Sequence, residues 1–334
     1  MAISPLSQFT PLFAAVFIIT WLIVPFWIRR AQSAGLVGKD VHKKSLPPVA
    51  EMGGVTILLS FILGVMGYVA MRVFIFKANT DITFILAVLS AILLAGIIGI
   101  IDDILGWKIG LRQWQKPLLT LLVAMPIMAI NAGSHSMSFP GLGSVDFGMF
   151  YPLLVIPAFI LVGTNGFNML AGYNGLEAGQ GIIILSTLGY FSYTTGSSWI
   201  AVVSFCMVFA LLGFWIYNRY PAKIFPGDTL TYTVGALTGA IAIMAELQKI
   251  FLILFIPYII EFFLKLRGKF QKESFAKVQD DGTLALQYNS IYGLEHLVVK
   301  IMNSLQIKTT ERKVVYALHA LQVCCVLLAL ALYL

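Results

Sequence analysis

Apolar runs separated by short polar connectors fill this chain, lying near residues 9–28, 52–71, 82–101, 116–131, 148–164, 177–195, 199–217, 229–245, 249–265 and 313–333. Most are long enough to cross a hydrocarbon core of about 30 Å, and the fourth and eighth are the weakest in hydropathy. No inverted internal repeat is visible among them. The pattern predicts an all-α, polytopic integral membrane protein of about ten transmembrane helices, forming a single transmembrane domain over residues 1–334. The first run has no basic residue before it and is followed by Arg29 and Arg30, so it reads as a retained helix rather than a cleaved leader.

The last connector, 265–313, is the longest. Residues 275–288 alternate apolar and polar about Asp281-Gly282, which predicts a β-hairpin with a two-residue turn. Residues 291–307 repeat apolar positions at helical spacing, which predicts a helix lying at the membrane interface. His296 stands alone within it and reads as surface-polar rather than catalytic.

Charge sets the orientation. With the N terminus outside, the cytoplasmic connectors are 29–51, 102–116, 165–176, 218–228 and 265–313. They then hold all of the 22 lysines and arginines except Arg72, Lys77 and Lys249. The positive-inside rule therefore puts these connectors in the cytoplasm. The same side carries Asp102, Asp103, Lys116, Asn168, Asn174 and Asp228, so any active site is expected on the cytoplasmic face.

Composition narrows the class further. The 334 residues are 59% hydrophobic and 11% charged, with a net charge of +7. The basic residues are scattered between runs, which suits a membrane lipid surface and a phosphorylated substrate and gives no reason to expect nucleic acid. Cys206, Cys324 and Cys325 lie inside apolar runs with neither metal-ligand nor disulfide spacing, and read as small hydrophobes.

The polar residues that interrupt the runs carry the chemistry. Residues 163–179, GTNGFNMLAGYNGLEAG, bring three asparagines, five glycines and a glutamate into an otherwise apolar chain. Unpaired, such amides would cost on the order of 2 kcal/mol each. A re-entrant turn or a binding floor for a polar ligand would explain them. Asp102-Asp103 ends the third run, where a carboxylate at membrane depth costs up to about 3 kcal/mol. Asp228, in Phe225-Pro226-Gly227-Asp228-Thr229, is either a helix cap or a Mg²⁺ ligand. Lys116 is either a snorkelling lysine or a point charge for a phosphate. Acids, amides, glycines and a lysine on one face, with no His/Cys cluster and no Ser/His/Asp set, argue for metal-assisted phosphoryl chemistry.

Asp102-Asp103, Lys116, the run from Asn165 through Asn168, Gly172 and Asn174 to Gly179, and Phe225-x-Gly227-Asp228-Thr229 occur in this order between the runs. Together they resemble the polyprenyl-phosphate N-acetylhexosamine-1-phosphate transferase family over nearly the whole chain. The Ala171-Gly172 and Asn174-Gly175 version of the central run, and the absence of histidine from 265–278, resemble its archaeal and eukaryotic N-acetylglucosamine branch.

The resemblance implies transfer of N-acetylglucosamine 1-phosphate from UDP-N-acetylglucosamine to a polyprenyl (dolichyl) phosphate, the first step of lipid-linked glycan assembly of the N-glycosylation type. The same reaction with another UDP-N-acetylhexosamine or with undecaprenyl phosphate is the near alternative. An intramembrane aspartyl protease and a membrane transporter are the remote ones. It further implies Mg²⁺ (or Mn²⁺) held by Asp228 and Asn168. Asp102, Asp103 and Lys116 are then expected at the transfer site. Val41, Glu51, Asn165, Gly172, Asn174 and Phe225 are expected around the donor, and a lipid-facing groove leading to Asp102 and Asp103. Arg267 and Lys269 would stand in for the Arg-His-Arg segment of the eukaryotic members. The implied location is the cell membrane, or the endoplasmic reticulum membrane in a eukaryote, and a homodimer is compatible with all of this.

Overall fold

The computed structural model describes residues 6–139 and 143–334. Among them are twelve α-helices: α1 (Thr10–Ser33), α2 (Gly54–Ala70), α3 (Ile82–Ile109), α4 (Gln115–Ala129), α5 (Ile156–Met169), α6 (Leu176–Thr194), α7 (Ser198–Asn218), α8 (Gly227–Met244), α9 (Gln248–Leu254), α10 (Ile256–Arg267), α11 (Leu294–Ser304) and α12 (Glu311–Tyr333). Six helical stretches are long and apolar enough to cross a membrane: Leu6–Ser33, Gly54–Ile75, Ile82–Gly106, Tyr151–Met169, Ser198–Asn218 and Glu311–Tyr333. The predicted ninth run is broken, because α9 stops at Phe255 and α10 restarts with Pro257 in its first turn, where the missing N–H costs nothing.

Helix α8 is the hub. Almost every residue from Thr229 to Ile243 is buried, including four threonines, so it faces protein rather than lipid. That explains its weak hydropathy: a helix enclosed by others need not be apolar all round. Thr233 and Thr238 donate their hydroxyls to carbonyls three or four residues back, so these two buried hydroxyls are satisfied within the helix. Its neighbours come into backbone contact across glycine. A Cβ on Gly235 of α8 would strike the Gly163 carbonyl of α5, and one on Gly239 the Phe159 carbonyl. Gly99 of α3 and Gly54 of α2 press in the same way on the Thr229–Leu230 backbone. Such small-residue seams are how helices associate where burial of apolar surface offers no drive.

Three two-stranded antiparallel ribbons join the helices. Strands β1 (Val37–Lys39) and β2 (Pro48–Ala50) pair Val37 with Ala50. This ribbon is stitched to the segment before α8, for the Phe225 N–H donates to the Ala50 carbonyl at 2.7 Å and the Gly53 N–H to that of Phe225 at 2.9 Å. Strands β3 (Ser136–Phe139) and β4 (Gly143–Asp146) form a second ribbon, whose turn lies outside the described residues.

Strands β5 (Lys277–Val278) and β6 (Leu284–Ala285) form the hairpin expected near Asp281-Gly282. Its turn has three residues rather than two. The Gln279 N–H donates to the Thr283 carbonyl at 2.8 Å, and Gly282 takes the left-handed position at φ +78°.

Helix α11 occupies the predicted interfacial segment, but His296 is wholly buried, not surface-polar. Its Nε2 lies 3.1 Å from the Phe275 carbonyl and its Nδ1 accepts the Tyr292 N–H at 3.4 Å, so the ring ties α11 to the strand leading into β5. Burial lowers its basicity below the ordinary histidine value.

Candidate active site

The site grows from the first turn of α8. Asp103, near the end of α3, accepts the N–H groups of Asp228 (2.7 Å) and Thr229 (3.1 Å) and the Thr229 hydroxyl (2.6 Å). It satisfies the orphan donors of that helix end and places a negative charge on the positive end of its dipole. Gly227 precedes at φ +72°, and a Cβ there would run into the same carboxylate. Asp103 therefore positions Asp228 and is not on the wall of either chamber that flanks the site.

Lys116, in the first turn of α4, joins two other acids. Its Nζ lies 2.5 Å from Asp102 Oδ2 and 2.8 Å from Asp228 Oδ2. Asp102 is also anchored by the Leu111 N–H at 2.8 Å and is 7% exposed. Asn168, on the last turn of α5, comes within the same circle through Thr231, whose hydroxyl donates to Asn168 Oδ1 at 2.9 Å and lies 3.1 Å from the Asp228 carbonyl oxygen. Thr231 was not among the residues that the sequence singled out. Its signal was its place three residues after Asp228, on the same face of a helix.

Two chambers flank this cluster. The smaller, of about 360 Å³, is lined by Val41, Gly172, Asn174, Phe225, Asp228 and Asn168 among others. The larger, of about 810 Å³, lies between the starts of α4 and of the segment after α10, with Lys116, Asn165, Asn168, Lys265 and Lys272 on its walls and Trp114 and Phe262 at its apolar side. Asn168 belongs to both.

The model of glycosyl transferase family 4 matches residues 85–246, which hold the acids, Lys116 and the asparagine run. A provisionally named UDP-N-acetylglucosamine–dolichyl-phosphate N-acetylglucosaminephosphotransferase of Saccharolobus solfataricus is 37% identical over 85% of this chain and 86% of its own. A like-named protein of Sulfolobus acidocaldarius is 31% identical over 85% of each. The phospho-N-acetylmuramoyl-pentapeptide-transferase of Streptococcus mutans is 31% identical over 73% of this chain and 75% of its own.

The chain belongs to glycosyl transferase family 4.

This family 4 transferase is an integral membrane protein, with six helices among the described residues long and apolar enough to cross the bilayer. Its asparagine run is held from behind. Gly172, at φ +106° with the Phe275 ring where a Cβ would sit, donates its N–H to Glu177 Oε1 at 2.7 Å. Asn174 donates its backbone N–H to Glu311 Oε1 at 2.9 Å and its amide to Asp40 Oδ2 at 3.0 Å. Asp40 is paired with Lys43, and the buried His42 ring stacks on Tyr173 at 4.0 Å. Burial brings the basicity of His42 down to about 4, against the pull of Asp40. Asp40, His42 and Glu311 were not among the candidate residues, because each sits in a charge-rich connector where one more polar side chain does not stand out.

The remaining candidates divide. Asn165 lines the larger chamber, but its amide nitrogen donates to Thr120 Oγ1 (2.9 Å) and to the Leu161 carbonyl (3.1 Å). Glu51 lies on the β1–β2 side, outside both chambers. Its burial and then the charge of Asp103 hold its carboxyl above the usual carboxylate range. Arg267 and Lys269 are exposed and reach neither chamber, because α10 ends at Arg267 and the chain turns away there. Lys265 and Lys272 are the basic residues of that segment on the chamber wall.

Proposed function

We propose that this transferase moves N-acetylglucosamine 1-phosphate from UDP-N-acetylglucosamine to a polyprenyl phosphate of the dolichyl type, releasing UMP. The observation that carries the reading is Asn168 on the wall between two chambers, with Lys116 joining Asp102 to Asp228 beside it. The names of the Saccharolobus and Sulfolobus relatives support the choice of sugar and lipid.

The residues fit a divalent cation. As ionised groups, Asp102, Asp103 and Asp228 against one Lys116 leave two negative charges, and the donors of Asp228, Asn168 and Asp102 are all hard oxygens, as Mg²⁺ prefers. Asp228 and Asn168 would hold the ion. When bound, it offsets charge on the donor diphosphate.

The smaller chamber takes the nucleotide, with Val41, Gly172, Asn174 and Phe225 around the base, and the larger takes the sugar and the acceptor phosphate. An oxygen of the lipid phosphate attacks the β-phosphorus, and the bond from that phosphorus to the bridging oxygen breaks, so UMP leaves with the oxygen. A phosphate monoester is mostly ionised at neutral pH, its second pKa being about 6, so no strong base is needed. Lys116 meets the developing negative charge, Asp102 orients the lysine, and Lys265 and Lys272 replace Arg267 and Lys269 as contacts to sugar and phosphate. We place ten spans around this site, with the N terminus outside and both chambers at the cytoplasmic leaflet, where a long isoprenoid chain can lie against Trp114 and Phe262.

Purified protein incubated with Mg²⁺, dolichyl phosphate and a panel of UDP-sugars tests the reading through UMP release. UMP formed only with UDP-N-acetylglucosamine and only with the lipid phosphate is expected. Release with another UDP-N-acetylhexosamine would reassign the sugar, and no release with any donor would sink the proposal. A phosphorylated enzyme trapped without the lipid would overturn direct displacement.

A further inference from the structure

A third cavity, of about 460 Å³, opens where α7 ends and α12 begins. Arg219, Lys223 and Arg312 line it, and no carboxylate does. Among the described residues none of the three forms an ion pair with an acid. Aromatic rings hold the guanidinium groups instead: Arg219 lies 5.6 Å from the centre of the Trp215 ring, and Arg312 stands 6.0 Å from Tyr220 and 5.9 Å from Tyr316. Arg312 gives one N–H to the Tyr316 hydroxyl at 3.4 Å, and a cation–π contact holds a guanidinium by its face while leaving its other donors for a ligand. Three unpaired cations about one hollow call for an anion with several acceptor oxygens, and a phosphate group fits that description.

The surroundings say which phosphate. The cavity sits at one end of two helices long and apolar enough to cross the membrane. From Arg312 an exposed stripe runs down α12 at helical spacing through Tyr316 (55% exposed), Val323 (43%) and Leu327 (59%). A charged head above a continuous apolar track is the shape of a lipid, not of a free ion. Basic pockets between membrane helices take anionic headgroups on the same logic.

The floor of the cavity includes Asn174 and Gly175. Asn174 also lines the smaller chamber, so the two hollows share one turn of backbone as a partition.

We propose that this cavity binds the phosphate headgroup of an anionic membrane lipid, and that its occupant steadies the partition it shares with the nucleotide chamber. The first half stands alone, and the second rests on the function proposed above.

Native mass spectrometry of the detergent-solubilised full-length protein, offered equal amounts of phosphatidylglycerol and phosphatidylcholine, tests the binding. Wild type is expected to retain phosphatidylglycerol, the Arg219→Gln/Arg312→Gln double variant to lose that preference, and Arg219→Lys/Arg312→Lys to keep most of it. Equal retention of both lipids by wild type, or an unchanged preference in the glutamine variant, would overturn the proposal. Displacement of the lipid by excess inorganic phosphate would show a free-anion site and overturn the lipid assignment.

The coupling is read in nanodiscs of phosphatidylcholine with and without phosphatidylglycerol. Phosphatidylglycerol is expected to lower the KM for UDP-N-acetylglucosamine roughly fivefold without changing kcat, and the glutamine variant to show no such difference. A wild-type KM indifferent to the lipid would remove the coupling. Absence of turnover in every disc would count against the proposed function and leave the retention experiment as the judge of the site.

Discussion

Two neighbouring aspartates, Asp102 and Asp103, point to opposite tasks. Asp103 is consumed by three hydrogen bonds at the start of α8, whereas Asp102 faces the Lys116 ammonium. Replacing Asp103 by Ala should therefore lower stability by about 1–2 kcal/mol, the cost of a lost helix cap, and lower turnover as Asp228 shifts. Asp228→Ala should abolish turnover while the thermal midpoint changes little. Thermal unfolding and UMP release on the two variants check this, and near-wild-type turnover of Asp228→Ala with Mg²⁺ would remove the metal assignment. His42 offers a second test. Its basicity in the fold is about 4 against 6.5 in the unfolded chain, so the unfolded state binds the extra proton between those values. Stability must then fall as pH drops from 6.5 to 4, by up to about 3 kcal/mol for a group so deeply buried. His42→Phe should flatten that part of the curve of unfolding midpoint against pH.

What the sequence disclosed at this scale was the set of unusual residues rather than their duties. Asp102, Lys116, Asn168 and Asp228 are conspicuous because polar groups are expensive in such a chain. Asp103 and Asn174 look no different on paper, yet their hydrogen bonds go to backbone and to Asp40 and Glu311. Spacing in the chain carries no record of partners more than a hundred residues away.

At the scale of elements, the seam between α5 and α8 decides whether the cluster exists. Gly163, Gly235 and Gly239 allow backbones to touch, and that contact holds Asn168 opposite Thr231. Gly235→Val should wedge the helices apart at a cost of about 1–3 kcal/mol and reduce turnover more than an equally destabilising change at the lipid-facing Leu327. Comparing UMP release at matched thermal midpoints measures the difference. The β5–β6 hairpin was legible because Asp281-Gly282 marks a turn, although the added residue in it was not. The β1–β2 ribbon escaped notice, since three-residue strands are too short for periodicity to show. The weak hydropathy of α8 hides a physical fact that only packing reveals: it is screened from lipid on nearly every side.

For the molecule as a whole, all but three of the 22 cationic side chains fall on the proposed cytoplasmic face. Single cysteines at Lys300 and Lys77, in a background lacking Cys206, Cys324 and Cys325, should react with an impermeant thiol reagent from opposite sides, Lys77 from outside. Labelling of both from the same side would refute the topology. The all-α membrane architecture could be read from hydropathy alone. The arrangement of the helices could not, because hydropathy reports contact with lipid and says nothing about which helix touches which.

Asn168 has one further bearing. It lines both chambers, together with Ala171 and Phe275, and on the function proposed above the enzyme is a room with two doors and a shared wall. A molecule that plugs only the narrower door should therefore compete with the sugar nucleotide in steady-state kinetics yet leave the apparent affinity for the isoprenoid phosphate untouched, whereas one lodged in the wider should compete with both, because the donor's sugar and the acceptor phosphate share that space.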